Sequence, residues 1–378
     1  MKIKSALICF ALLMESIFLT GCNGESGKKD TSLFSLEYDA TGEVFIPYDI
    51  LHGPLHISLY EDHYLIVGNS IHSPMIEVYD MVSKRLLKSF GINGNGRDEL
   101  LALRYLQADP DKNSLYAFDN FQHRLLCYDF QQVLTGPLVK PEQIYQRPEG
   151  ARSSLNIDNL VEQIMNAHDR YIAHSLFEQV GVLESCLIAE SRDSRGRMAL
   201  IDFNGDIIGH FLDFPDKSLT NKDLADFAHA RLYSSSITMN PAKNRIALTT
   251  SSGGLIDLVN LKDSVLESYW SYEIFHPTGF TVTNIGDDVV AQFTDNSIYG
   301  FPGICSTEKY VYALFSGKRF EDEMSPYGQQ IYVVSWNGEE TYKINLDSQI
   351  NRLAVDSKDR YIYGISIDMD ILRFEIVK

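Results

Sequence analysis

The sequence feature that most constrains the fold is a short strand–turn–strand unit that recurs six times. Each copy has an apolar strand, a tight polar turn and a second strand that opens with an aliphatic residue beside aromatic or small ones. The equivalent second-strand positions are Leu65, Leu115, Ile172, Ile246, Val311 and Ile362. Six copies, 50 to 74 residues apart, predict six propeller blades of four antiparallel strands each.

The last copy indicates how the ring of blades closes. It has room for only three strands before Lys378, and the segment Leu33–Ile46 is strand-like but has no sequence neighbour to pair with. Because a closed ring leaves no open sheet edge, we expect this N-terminal segment to supply the outer strand of the last blade. The predicted fold is an all-β, six-bladed β-propeller over residues 33–378.

Two insertions between blades have helical character. Ser153–Ala167 carries spaced apolar residues, and Leu219–Tyr233 combines an apolar face with Thr220 and Asp223, a pair suited to capping a helix. Short helical insertions between blades are therefore predicted, either as flaps that cover the core or as a lid over a ligand.

The first 21 residues have the pattern of a secretory signal peptide. Lys2 and Lys4 precede an apolar run that is too short for a stable membrane span. The tetrapeptide Leu19–Cys22 that ends this run resembles the lipobox of bacterial lipoproteins, in which a lipid is attached to the Cys and the preceding peptide is removed. This resemblance implies lipidation at Cys22.

The residues from Cys22 onward predict a tether and a location. Residues 22–32 are small, polar or charged after the Cys, which is typical of a flexible linker. In the sorting rule of enteric bacteria, Asp after the lipidated Cys retains a lipoprotein in the inner membrane, and Asn23 stands there instead. We expect an outer-membrane lipoprotein of the cell envelope that faces the periplasm or the cell surface and is held in the membrane by its lipid.

Charge and cysteine content exclude several classes of function. The formal net charge of −18 repels nucleic acid, so no nucleic-acid partner is expected. Cys127, Cys186 and Cys305 are widely spaced and odd in number, which argues against a disulfide framework or a CxxC metal site. Each lies in an apolar run, and we expect buried free thiols.

Two stretches resemble a known family. Phe90–Leu100 is similar to the glycine-rich inter-blade segment of TolB-like six-bladed propeller lipoproteins of Gram-negative bacteria, with Arg97 where Pro is usual and Leu100 where Phe is usual. Ala230–Ala247 resembles a short helix leading into a Pro-containing hairpin of the same family. The resemblance implies a fold and an envelope location, and it supplies no catalytic residues.

Motifs for common chemistries are absent from the sequence. It contains no G-x-S-x-G, H-E-x-x-H or phosphate-loop pattern. Gly91, Gly94 and Gly96 are expected to provide positive φ in a turn between blades. The run from Asp109 to Asn113 imitates the start of a calcium loop but lacks its later Gly and Glu, so a hairpin turn is predicted. The sequence predicts no cofactor, and a divalent ion bound on the channel axis is kept as an alternative.

Propellers bind ligands where the innermost strands begin, and several polar residues are predicted to lie there. The candidates are His56, Arg104, Tyr105, Tyr233 and Arg352, with His229 and Arg231 overhanging from the predicted helix. Arg, Tyr and His side chains can hold a carbohydrate or a carboxylated peptide by stacking and bidentate hydrogen bonds. The alternative is that these residues are structural polar groups or exposed surface.

Three functional hypotheses follow. The leading one is a non-enzymatic envelope lipoprotein whose propeller binds a protein, peptide or glycan. The second is a metal-dependent hydrolase or lactonase of the six-bladed type, whose ligands would come from different blades and so leave no spacing signature. The third is an interaction scaffold in an envelope complex, which predicts an exposed apolar patch.

Overall fold

The computed structural model describes residues 33–69, 74–122, 124–146, 179–193, 195–215, 230–285 and 288–377. Its strands form antiparallel sheets arranged as six blades around a central channel, which confirms the predicted propeller. The predicted signal peptide, Cys22, the tether and the insertion Ser153–Ala167 lie outside the described residues. No helix in the described part of the chain is long and apolar enough to cross a membrane.

The chain enters through two short strands and then builds four blades in sequence order. The entering strands are β1 (Glu37–Ala40) and β2 (Gly42–Ile46), followed by a 3-10 turn at Tyr48–Ile50.

Blade 1 contains β3 (Pro54–Tyr60), β4 (Tyr64–Asn69), β5 (Ile76–Asp80) and β6 (Leu86–Phe90). Blade 2 contains β7 (Leu103–Asp109), β8 (Ser114–Asp119), β9 (Arg124–Asp129) and β10 (Gln143–Gln146), with a 3-10 turn at Pro110–Lys112. Blade 3 contains β11 (Val180–Val182), β12 (Leu187–Asp193), β13 (Gly196–Ile201) and β14 (Ile207–Phe211). Blade 4 contains β15 (Ser235–Met239), β16 (Arg245–Thr250), β17 (Leu255–Lys262) and β18 (Val265–Glu273).

The last two blades share one long strand. Blade 5 contains β21 (Gly303–Ser306), β22 (Tyr310–Phe315), β23 (Gly328–Ser335) and the first half of β24 (Thr341–Val355). Blade 6 contains the second half of β24, then β25 (Tyr361–Ser366), β26 (Ile371–Glu375) and β2. The inner strands β3, β7, β11, β15, β21 and β24 each contact the next, and β24 contacts β3, so the ring is closed.

The N-terminal segment closes blade 6, as predicted. β2 pairs antiparallel with β26, and Gly42 lies opposite Phe374. Phe374 is fully buried, and a Cβ at Gly42 would come within 2.6 Å of its ring. The preceding strand β1 adds a parallel edge to the outer half of β24 in blade 5. The segment therefore joins two blades.

The predicted position of the third repeat is wrong. The second strand of blade 3 is β12, so Ile188 takes the place that the pattern assigned to Ile172, a residue outside the described ranges. Ile188 is buried and lies opposite Leu200 on the third strand, as Leu65 lies opposite Tyr79 in blade 1. A polar turn before a short aliphatic strand is common enough to occur by chance near a true repeat.

Two elements outside the blades were not predicted. Helix α1 (Phe130–Thr135) lies between β9 and β10 and begins at Asp129, whose carboxylate accepts a hydrogen bond from the Gln132 N–H at 2.7 Å. A hairpin of β19 (Phe280–Ile285) and β20 (Asp288–Phe293) lies between blades 4 and 5. Of the predicted helix Leu219–Tyr233, only residues 230–233 are described, and residues 230–232 are helical.

The glycine-rich segment connects blades 1 and 2 and is held by a buried arginine. The Arg124 guanidinium donates to the carbonyl oxygens of Gly96, Arg97 and Glu99 at 2.6–3.2 Å. Only Gly91 of the three glycines has positive φ, which corrects the expectation for Gly94 and Gly96. A Cβ at Gly94 would lie 2.1 Å from the Glu99 carboxylate, so these two glycines make room for that side chain.

Candidate functional site

The two ends of the central channel differ in the chain that surrounds them. The inner strands all begin at one end, which we call the upper mouth, and the connections between blades meet there. The β19–β20 hairpin lies in such a connection, between blades 4 and 5. At the other end the inner strands turn tightly into the second strands. Among the described residues, this hairpin adds chain at the upper mouth, and loops carry function in many proteins.

Three neighbouring inner strands begin with a β-bulge. The register shifts between Pro54 and His56 in blade 1, between Leu103 and Tyr105 in blade 2, and between Ile350 and Leu353 in blade 6. A bulge adds one residue to a strand and re-aims a side chain. Because blades 6, 1 and 2 are adjacent, the three irregularities lie on one side of the upper mouth.

These bulges bring His56, Arg104 and Arg352 together. Burial and the charges of Arg352 and Arg104 lower the pKa of His56 to about 3, so its imidazole is neutral at physiological pH. His56 Nε2 lies 3.2 Å from the Leu103 carbonyl oxygen and, as a neutral ring, donates its proton there. Burial lowers the pKa of Arg352, and the positive charge of Arg104 lowers it further, as expected for two guanidinium groups within electrostatic range.

Both arginines have guanidinium N–H groups that are not bonded to a carboxylate among the described residues. Arg352 Nη1 donates to the carbonyl oxygens of Pro302 and Asn351 at 2.7 and 2.8 Å, and Arg104 is exposed to the channel. Tyr299 and Tyr327 interact electrostatically with Arg352. Two adjacent guanidinium groups with tyrosines beside them form a site suited to a carboxylate or another planar anion.

The other predicted residues lie apart from this cluster or outside the described residues. Tyr105 lines the cavity in the lower half of the channel and packs between blades 2 and 3, where burial raises the pKa of its hydroxyl. Tyr233 is 1% exposed and packs against Phe214. It therefore lies in the core and not at the channel mouth, where the sequence analysis expected it. Arg231 is half-buried near the end of the helical segment, and burial lowers its pKa. His229 lies outside the described residues.

Glu190 is a residue of the upper mouth that the sequence did not indicate. It lies on β12, where its N–H bonds the Gln179 carbonyl just before the inner strand β11. Burial raises the pKa of its carboxyl group to about 7, although Ser234, Ser235 and Arg104 act in the opposite direction. The sequence pattern placed the second strand of blade 3 around Ile172 and not at β12. Glu190 lies on β12 and was therefore not recognised as a candidate.

The lower half of the channel holds a cavity that is lined in part by a buried ion pair. The cavity has a volume of about 350 Å³ and is lined by inner strands of five blades. Lys243 of blade 4 binds Asp109 of blade 2, and both side chains are buried. Blade 3 lies between them in the ring, so the ion pair joins two blades that are not neighbours. The predicted hairpin turn from Asp109 to Asn113 is confirmed.

The cysteine and histidine predictions have mixed outcomes. Cys127 and Cys186 are buried free thiols as expected, whereas Cys305 is only partly buried because it lines the lower cavity. His52 Nδ1 bonds the buried Glu77 at 2.7 Å in the loop before β3, apart from His56. In the described ranges no three His, Cys, Asp or Glu side chains are grouped to hold a metal ion. The hydrolase alternative therefore gains no supporting observation.

Comparison with known proteins identifies the family. A family model described as TolB-like 6-blade propeller-like matches residues 32–358. The chain belongs to this TolB-like family. Among solved structures, a member of the DUF4221 family from Bacteroides vulgatus is 12% identical, with a TM-score of 0.51 over 90% of this chain and 96% of that one. A candidate exported protein from Bacteroides fragilis is 14% identical, with a TM-score of 0.50 over 91% and 99%.

These similarities concern architecture. At such low identity the TolB-like chain shares a fold with both Bacteroides proteins, and the likeness transfers no ligand or activity. A search of curated proteins found no match. Function must therefore be argued from the upper mouth itself.

Proposed function

We propose that this TolB-like propeller is an envelope-anchored binding protein that captures an anionic peptide or glycan at its upper mouth. A lipid on Cys22 would hold it in the outer membrane, and residues 22–32 would let the propeller reach its ligand. The ligand would present a carboxylate to Arg104 and Arg352. The role is a binding role, without chemical conversion of the ligand.

The observation that carries this proposal is the pair of arginines from blades 2 and 6. Both lower the pKa of the same imidazole, His56, so both lie within electrostatic range of it. Holding two like charges together costs free energy, and a bound anion would offset that cost. The protein as a whole carries a formal net charge of −18, so a local cationic site contrasts with its average surface. Tyr299 and Tyr327 beside Arg352 would stack on a sugar or a peptide side chain.

The test is a binding screen with matched charged and neutral probes. Uronic-acid oligosaccharides and peptides with free C-terminal carboxylates are titrated into the purified protein by calorimetry, with methyl esters and C-terminal amides as neutral controls. We expect binding of at least one acidic probe and at least tenfold weaker binding of its neutral counterpart.

Variants test whether that binding takes place at the upper mouth. Arg104→Gln and Arg352→Gln are each expected to weaken acidic-probe binding by about tenfold or more, as loss of a charged hydrogen-bonding partner does. Arg85→Gln removes the same charge from an exposed position in the turn between β5 and β6, at the lower end, and should leave binding unchanged. Equal binding of acidic and neutral probes, or equal effects of all three variants, would contradict the proposal.

A further inference from the structure

Glu190 is a buried carboxyl group beside the arginine site. Its side chain is 4% exposed, and Oε1 accepts a hydrogen bond from the Ser235 N–H at 3.2 Å. Oε2 is buried and has no hydrogen bond within 3.5 Å to the described residues. A carboxylate in such surroundings is incompletely solvated, so its neutral form costs less than its ionised form.

The strands packed around Glu190 supply one charged partner. β11 begins beside Gln179, whose side chain is engaged with Ser236 and the Ile237 N–H of blade 4. On β13 the residue opposite is Met198. β15 contributes the Ser235 N–H, and the side chain of the preceding Ser234 also acts on Glu190; both residues are uncharged and lower its pKa, while burial raises it more. Among the described residues, the charged side chain that acts on Glu190 is Arg104 of β7.

Arg104 therefore faces two competing anions. An ionised Glu190 attracts the Arg104 guanidinium, and its negative charge also repels a carboxylate that approaches the mouth. A protonated Glu190 leaves Arg104 available to the ligand. His56 does not titrate near neutrality, because its pKa lies at about 3. Glu190, unlike His56, therefore changes charge between pH 6 and pH 8.

We propose that Glu190 sets the charge of the upper mouth, and that the protein takes up a proton on Glu190 when it binds an anionic ligand through Arg104. This inference rests on the proposed function of the same site. By linkage, ligand binding raises the proton affinity of Glu190, and protonation of Glu190 raises the affinity for the ligand by the same factor. The site then binds its ligand more tightly on the acidic side of neutrality.

The first experiment needs no ligand. The thermal midpoint of the full-length protein is measured from pH 5 to pH 8.5 for the wild type, Glu190→Gln and Arg104→Gln. We expect a titration step near pH 7 in the wild type, loss of that step in Glu190→Gln, and a step shifted to higher pH in Arg104→Gln because the stabilising positive charge is gone. A step that persists in Glu190→Gln, or one that Arg104→Gln leaves in place, overturns the proposal.

The second experiment measures binding with a defined probe, glucuronic acid, whose carboxylate stays ionised throughout this pH range. We expect wild-type affinity to fall about tenfold from pH 6 to pH 8, a change within the usual range of site couplings. Glu190→Gln should bind at both pH values as tightly as the wild type does at pH 6. Calorimetry in buffers of different ionisation enthalpy should detect proton uptake near pH 7 in the wild type and none in Glu190→Gln.

A matched control and the opposing outcomes complete the test. Glu184→Gln removes an exposed carboxylate of the same blade, which pairs with Lys112 at 3.3 Å, and should keep the wild-type pH dependence. Binding that is independent of pH in the wild type overturns the role of Glu190 but leaves the arginine site standing. Failure of glucuronic acid and of every acidic probe in the screen to bind overturns both proposals.

Discussion

The buried ion pair of Lys243 and Asp109 at the lower end of the channel gives a quantitative prediction. Lys243→Met removes the ammonium group and leaves the Asp109 carboxylate, whose side chain is 1% exposed, buried without its cation. Breaking a buried pair by removing one partner costs about 3–5 kcal/mol, because the remaining charge is neither solvated nor paired. Removing both charges together costs much less, since no buried charge remains.

This free energy corresponds to a measurable shift of the thermal midpoint. Residues 33–377 have an unfolding entropy of roughly 0.7 kcal/mol/K, at about 2 cal/mol/K per residue. Lys243→Met should therefore lower the midpoint by about 4–7 °C in a circular dichroism melt. The double variant Lys243→Met with Asp109→Leu should recover most of this loss, and Lys112→Met, whose partner Glu184 is exposed, should shift the midpoint by less than about 1 °C.

The reasoning is refuted by either of two results. If Lys243→Met melts at the wild-type temperature, Asp109 is not a buried charge that depends on the lysine. If the double variant is as unstable as the single one, the loss comes from packing at Lys243 rather than from an unpaired carboxylate.

Four further predictions concern ring closure, the glycine-rich segment and the pH dependence of stability. Phe374→Ala should destabilise the protein by about 3–5 kcal/mol in urea unfolding, while Phe374→Leu should cost less than half of that, because the ring fills the contact with β2. Arg124→Met should cost about 2–4 kcal/mol and expose the segment at Gly96 to limited proteolysis, since several carbonyl oxygens lose their donor. Stability carried by neutral Glu190 is fully present below its ordinary pKa of 4.5 and is lost as the pH rises through about 7, so Glu190→Gln should abolish that decline in melts from pH 5 to pH 8. His56 acts in the opposite direction: its contribution is present above pH 6.5 and is lost as the pH falls toward 3, so acid should destabilise the wild type more than His56→Gln.

The architecture was predictable because the repeat is a local signal. Aliphatic second strands after polar turns specify the blades one at a time, and the unpaired segment Leu33–Ile46 indicated the closing strand. The third copy failed because the run around Ile172 imitates the repeat that β12 provides. A single misplaced strand was enough to conceal Glu190.

The site was less predictable because its geometry depends on backbone irregularities. His56, Arg104 and Arg352 were found from the rule that inner strands begin at the mouth. The bulges that group them are register shifts between strands and have no sequence signature of their own. Tyr299 and Tyr327 lie in loops between strands. The repeated strand–turn–strand unit does not predict where such loops approach the channel.

The most direct test of the account is a crystal structure of the protein with an acidic glycan or peptide selected by the binding screen. The account predicts the ligand carboxylate at the upper mouth, within about 3 Å of the guanidinium nitrogens of Arg104 and Arg352. Ligand density in the lower cavity, or on the outer face of a blade with both arginines unoccupied, would contradict it.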